Sequence, residues 1–165
     1  LHYLLADFPP FFVTHNAKKA PCLCPPLGYV SLAHTQGMSA AIFSDIYKVG
    51  IDLESLKRPY LPETISYFMS TTEKDWYDKT PAKGRAFIYF LIWCAKEAVY
   101  KLFSPWTSLS FGDHISLLPA TLTWQAIKAS VLLGKRSFLL NIQYFQRNDF
   151  LICYVYRDFH SDYSG

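Results

Sequence analysis

The order of apolar and polar positions divides the chain into three stretches. Residues 1–28 show no sustained period and carry Pro9, Pro10, Pro21, Pro25 and Pro26. Proline fixes φ and lacks a backbone donor, so this stretch reads as an irregular arm with room for one short strand. Alternation sets in at Tyr29. Tyr29–Ala33 (YVSLA) is rich in β-formers and reads as a strand, and His34–Gly37 as a turn. Met38–Ile46 and Lys48–Leu53 (KVGIDL) follow as two more strands around a tight connection near Ser44–Asp45. Three consecutive strands with short links predict an antiparallel meander.

The period then lengthens. Pro62 suits the first turn of a helix. Thr71 or Thr72 is placed to cap a second helix, with Glu73 and Asp75 in its first turn, where the helix dipole favours acids. A long helix is predicted over Lys83–Phe103, stopped by Pro105. Ile115–Leu118, Leu122–Leu132, Phe138–Gln146 and Phe150–Arg157 return to strand character, and the residues from His160 read as a loose tail. Strands and helices that segregate along the chain predict an α+β fold, an antiparallel sheet packed against one long helix. No internal repeat is present.

Composition supports a buried core. Of 165 residues, 51% are hydrophobic, 18% aromatic and 18% charged, which excludes a disordered tail. The net charge of +3 is too small for a dedicated nucleic-acid binder. That charge is unevenly placed: 8 Lys+Arg and 8 Asp+Glu cancel over residues 1–83, whereas residues 84–165 hold 8 against 5. A basic second half suits an acidic partner or a phosphorylated ligand, or is ordinary solubilising charge. No window approaches the roughly 18 apolar residues of a membrane span. Leu1–Val13 contains Asp7 and two prolines without a basic leader and does not read as a signal peptide. Cys22, Cys24, Cys94 and Cys153 form no CxxC pair, so they read as reduced thiols of a cytoplasmic protein.

Two stretches concentrate chemistry. In Val49-Gly50-Ile51-Asp52-Leu53-Glu54, residues two apart share a face of a strand, so Asp52 and Glu54 project together while Ile51 and Leu53 face a core. Adjacent carboxylates repel unless a cation joins them, and one or two carboxylates plus ligand phosphates are the usual setting of Mg²⁺. The plainer reading is a solvated edge strand with two surface acids. In Trp93-Cys94-Ala95-Lys96-Glu97-Ala98-Val99-Tyr100-Lys101, helical spacing puts Trp93, Glu97 and Lys101 along one face. The plainer reading there is an intrahelical Glu97–Lys101 pair. A third acid converging on Asp52 and Glu54, with Lys96 and Lys101 beside it for phosphate charge, would complete a metal site.

Taken together, VGIDLE and, about forty residues later, WCAKEAVYK resemble the paired signature of the 4′-phosphopantetheinyl transferase superfamily, in particular its Sfp-type branch. Upstream, Ser31-Leu32-Ala33-His34-Thr35-Gln36-Gly37 resembles the family's S-H-(S/T)-x-G segment, and Ala20-Pro21 a degenerate G-K-P element. The resemblance spans about residues 17–157 and implies a definite reaction. The family moves the 4′-phosphopantetheine arm of coenzyme A onto a serine of an apo acyl, peptidyl or polyketide carrier protein, releasing adenosine 3′,5′-bisphosphate. It implies Asp52, Glu54 and Glu97 as Mg²⁺ ligands. Glu97 also matches the residue that helps deprotonate the serine, with Asp52 and Lys101 completing the catalytic set. Lys19, His34, Thr35, Lys96 and Lys101 match positions that contact the coenzyme.

The chain departs from the family pattern in places. Ala33 stands where the family has serine before its histidine, and the lysine of G-K-P falls at Lys19 rather than at position 20. Ser104-Pro105-Trp106-Thr107-Ser108 replaces a Gly-Lys-Gly turn. Asp52 arrives early for the branch, which predicts one domain over 1–165 with a reduced first lobe (1–48), a complete second lobe (49–157) and a tail (158–165). Oligomeric state is open, as is whether the start at Leu1 reflects trimming. Two other readings remain: a degenerate family member that binds coenzyme A or a carrier protein without transfer, and a Mg²⁺-dependent nuclease using the same acids and Lys101.

Overall fold

The computed structural model describes residues 10–105 and 107–158. The first residues of the arm, Trp106 and the expected tail from His160 lie outside the described residues.

The long helix and the strands after it form the body of the fold. α3 (Ala82–Phe103) follows the short α1 (Ile65–Phe68) and α2 (Thr71–Lys79). A five-stranded antiparallel sheet has the order β5-β9-β8-β7-β6, where β5 is Lys48–Ser55, β6 Ile115–Leu118, β7 Ala126–Leu133, β8 Arg136–Arg147 and β9 Phe150–Arg157. One face of the sheet carries Leu151, Cys153 and Val155 from β9, Leu140 and Ile142 from β8, Ile127, Ala129 and Val131 from β7, and Ile115 and Leu117 from β6. They pack against Ile88–Ile92, Ala95, Ala98, Val99 and Leu102 of α3 in one core. A helix apolar on most sides, as this one is, is stable only when enclosed. The strand expected at Leu122–Leu132 begins at Ala126, because Pro119–Thr121 turns as a 3-10 segment first. α4 (Phe111–His114) is an additional short turn of helix.

The expected meander does not form. β3 (Tyr29–Thr35) and β4 (Met38–Ser44) pair with each other, but β5 leaves them and pairs with β9, Asp52 opposite Cys153. At the connection Ser44 Oγ accepts from the amides of Ile46 and Tyr47, and beyond this turn β5 takes its backbone partners from β9, a strand distant in the chain. β3 and β4 then lie across the other face of β5 and β9, where Ala33, Ile51, Leu53 and Ile152 form a second core. On the edge of β5, the Ile51 amide donates to Ser31 Oγ at 3.1 Å, so that donor is satisfied by a side chain instead of a strand.

The arm is more regular than its prolines suggested. β1 (Phe12–His15) and β2 (Pro21–Cys24) form an antiparallel hairpin, its turn held by Asn16 Oδ1, which accepts from Lys18 N and Ala20 N. Proline tolerates a strand end, and Pro21 opens β2. A small core of Phe11, Leu23 and Val30 seats the hairpin on β3. α2 is capped one residue earlier than expected. Ser70 is the N-cap and forms a reciprocal capping box with Glu73.

Candidate functional site

The site is set by a close approach of backbone to backbone. Gly50 on β5 lies against the α3 main chain: a Cβ there would overlap the Ala98 carbonyl oxygen and stand 2.9 Å from the Leu102 nitrogen. Because glycine has no Cβ, the helix settles directly on the strand. The next residues on that face, Asp52 and Glu54, therefore emerge beneath Glu97 and Lys101. Asp52 and Glu54 are each only 7% exposed, so the solvated edge strand is not what the fold builds.

Lys101 Nζ donates to Asp52 Oδ1 at 2.7 Å, and Arg58 Nη1 stands 3.3 Å from Glu54 Oε2. The Lys101 partner is thus the strand acid Asp52 and not the helical neighbour Glu97. The second oxygen of Asp52 and Oε2 of Glu54 are buried without a hydrogen bond. Burial raises the Asp52 carboxyl above its ordinary range, against the opposing pull of Lys101. Burial also raises Glu54, with Arg58 opposing and Asp52 adding to the rise. Glu97 is pushed up to about 7, by burial first and then by the negative charge of Asp52, with Lys101 opposing and Glu54 adding. The charge of Asp52 disfavours ionisation of Glu54 and Glu97, and buried carboxylate oxygens of Asp52 and Glu54 are left without a hydrogen bond, the latter with only the Arg58 ion contact. That donor set fits a hard divalent cation. Among the described residues, however, no three carboxylate, imidazole or thiol groups stand closed to the spacing of a finished metal cage.

These groups line one wall of an open cleft of about 1310 Å³, with Trp93, Tyr100 and Ser104. The opposite wall comes from β3, β4 and the β1–β2 hairpin and brings His34, Thr35, Ser39, His15, Lys18 and Lys19. Lys19 sits on the hairpin turn at φ 61, and His34 pairs with Ser39 across β3 and β4. Of the residues singled out in the sequence, Asp52, Glu54, Glu97, Lys101, Lys19, His34 and Thr35 thus share one cleft.

Lys96 does not join them. It is fully buried on another side of α3, where Nζ meets Glu73 Oε2 at 2.6 Å and donates to the carbonyls of Phe68 and Phe111. Lys96 points to the side of α3 that packs against α1, α2 and α4, while Glu97 opens on the cleft. Phosphate contact by Lys96 is replaced here by an internal ion pair. Arg58, Lys18 and His15 were not legible in advance. Arg58 lies four residues beyond Glu54 but past the end of β5, where no regular element relates the two, and the other two lie on a hairpin hidden by its prolines.

The family is shown by comparison with known proteins. The family model described as "4'-phosphopantetheinyl transferase superfamily" matches residues 48–155, well over half of the chain. The protein belongs to the 4′-phosphopantetheinyl transferase superfamily. The matched segment holds β5 and α3, and with them Asp52, Glu54, Glu97 and Lys101. Among solved structures, the chain is similar to the holo-[acyl-carrier-protein] synthase of Thermotoga maritima, at 16% identity and a TM-score of 0.47. The alignment covers 67% of this chain and 62% of that one. A comparison with curated protein sequences finds no match.

Proposed function

We propose that the protein transfers the 4′-phosphopantetheine arm of coenzyme A to a serine hydroxyl of an apo carrier protein, in a Mg²⁺-dependent reaction that releases adenosine 3′,5′-bisphosphate. One observation carries this reading. The acids of β5, with Glu97 and Lys101 of α3, line one open cleft together with lysines and histidines from β3 and the β1–β2 hairpin. A nucleotide that carries a pyrophosphate and a further ribose phosphate, with a long uncharged arm beyond the pyrophosphate, matches that distribution of charge: the acids with a bound cation would meet the pyrophosphate, and the lysines and histidines the further phosphate.

Asp52, Glu54 and Glu97 are the residues that would hold Mg²⁺, which would neutralise the pyrophosphate and polarise it for attack. Lys101 adds a positive charge beside Asp52, where it offsets charge growing on the leaving bisphosphate. Glu97, raised to about 7, is the base in this scheme. It takes the serine proton, directly or through water. The serine oxygen forms a bond to the phosphorus that bears the pantetheine arm, and the bond from that phosphorus to the bridging oxygen breaks. His34, Thr35 and Lys19 contact the coenzyme from the opposite wall. The carrier docks with an acidic helix near α3, an interaction that weakens with added salt. The protein acts in the cytoplasm. Among the described residues no helix is long and apolar enough to cross a membrane.

The test mixes protein, Mg²⁺, coenzyme A and an apo acyl carrier protein, and weighs the carrier intact. The expected result is a gain of one phosphopantetheine. No gain at high enzyme with the fold intact refutes transfer. A second reading, coenzyme or carrier binding without transfer, has one observation in its favour: the hairpin wall of the cleft lies before residue 48, outside the matched segment. Calorimetric binding of coenzyme A with no mass gain on the carrier would select it.

A further inference from the structure

Beside the cleft lies a buried ion pair that takes no part in it. Glu73 and Lys96 are both 0% exposed, and all three protons of the ammonium are placed: on Glu73 Oε2 at 2.6 Å, on Phe68 O at 2.7 Å and on Phe111 O at 3.0 Å. Glu73 accepts from Ser70 N at 2.6 Å and from Leu117 N at 2.7 Å. Five segments therefore meet at one pair: the end of α1, the cap of α2, the middle of α3, the start of α4, and β6. Removing two charges from water is costly, and apolar replacement of a buried pair is often neutral or stabilising. Stability alone does not account for this pair.

Its position does. Lys96 adjoins Glu97, and Phe111, whose carbonyl it holds, lays its ring against Trp93 at 5.6 Å and Tyr100 at 5.5 Å between centroids. Trp93 and Tyr100 line the cleft with Glu97 and Lys101. We propose that Glu73 and Lys96 are a positioning pair that fixes the rotation of α3 about its own axis and the seat of the Phe111 wedge, and thereby holds Glu97 and Lys101 toward Asp52. Side-chain ends lie about 5–6 Å from a helix axis, so a turn of about 10° carries the Glu97 carboxylate about 1 Å. A misplacement of that size costs about 10²-fold in rate.

The rate readout rests on the transfer activity proposed above; a second readout does not. The test is the double variant Glu73→Gln with Lys96→Met, which removes both charges at nearly constant volume. It is expected to fold, to lose at least about tenfold in kcat with KM for coenzyme A within about threefold, and to shift the indole N–H resonance of Trp93, assigned by its absence in Trp93→Phe. A folded double variant with wild-type kcat and an unmoved resonance overturns the proposal. If the double variant does not fold, Glu73→Gln alone is read in the same way. Failure of both to fold also overturns it, since the pair would then serve the fold itself. If the wild-type protein transfers nothing, the transfer reading falls and the Trp93 resonance alone decides the positioning role.

Discussion

Gly50→Ala tests the contact on which the site depends. The added methyl would meet the Ala98 carbonyl oxygen, the Leu102 nitrogen at 2.9 Å and the Ala98 carbonyl carbon at 3.1 Å. All three are backbone atoms within the hydrogen-bond ladder of α3, so no side chain can rotate away. Non-bonded heavy atoms settle at about 3.5–4.0 Å. Clearing the nitrogen alone asks for a retreat of about 0.6 Å, and clearing the oxygen, which is nearer, asks for one on the order of 1 Å. Overpacking of this kind costs about 1–3 kcal/mol, with the upper half expected here because backbone stands on both sides. For a chain of this size each kcal/mol lowers Tm by about 2–4 °C, so the variant should melt roughly 5–10 °C lower. The same retreat draws Glu97 and Lys101 away from Asp52, and a displacement near 1 Å predicts a loss of about 10²-fold in transfer rate. Thermal unfolding and the mass-based transfer assay measure the two effects. Gly112→Ala is the control, because nothing lies within 4 Å of a Cβ there. A Gly50→Ala protein as stable and active as the wild type would refute the claim that this close approach builds the site.

Three further outcomes follow from the site. Glu97→Gln should lower transfer by about 10²–10⁴-fold, the usual contribution of a general base, with an unchanged circular dichroism spectrum; full activity would remove Glu97 from its role. Mg²⁺ at 100 times its dissociation constant should stabilise the protein by about 2.7 kcal/mol without coenzyme present, and EDTA should reverse the shift. Asp52→Asn should abolish it, and an equal shift in Asp52→Asn would place the ion elsewhere. In EDTA, stability should also depend on Glu97. Its carboxyl titrates near 7 in the fold against 4.5 ordinarily, so the folded state holds the proton more tightly. Stability is therefore greatest below about pH 4.5 for this group and falls as pH rises to about 7, by on the order of 1–2 kcal/mol after solvent screening at a half-buried site. Urea midpoints at pH 5 and 7.5 should show a shallower fall in Glu97→Gln than in wild type, and equal slopes would refute the assignment.

The residues themselves show which parts of this protein are local. Alternation in Lys48–Leu53 and the helical face of Trp93, Glu97 and Lys101 follow from backbone geometry that each segment carries alone, and both elements form as expected. The α+β class followed from the same periods. The sequence also sufficed to pair the two acidic motifs as one site, through their resemblance to a family whose model matches both. Tertiary structure decided what depends on partners distant in the chain. β5 pairs with β9 instead of β4, because register is a contest between surfaces that no local period records. Lys96 and Glu97 are neighbours in the motif, yet one is enclosed with Glu73 and the other opens on the cleft. Periodicity orders side chains around a helix. Which of its faces meets a core and which meets a ligand is settled only when the rest of the chain has packed around it.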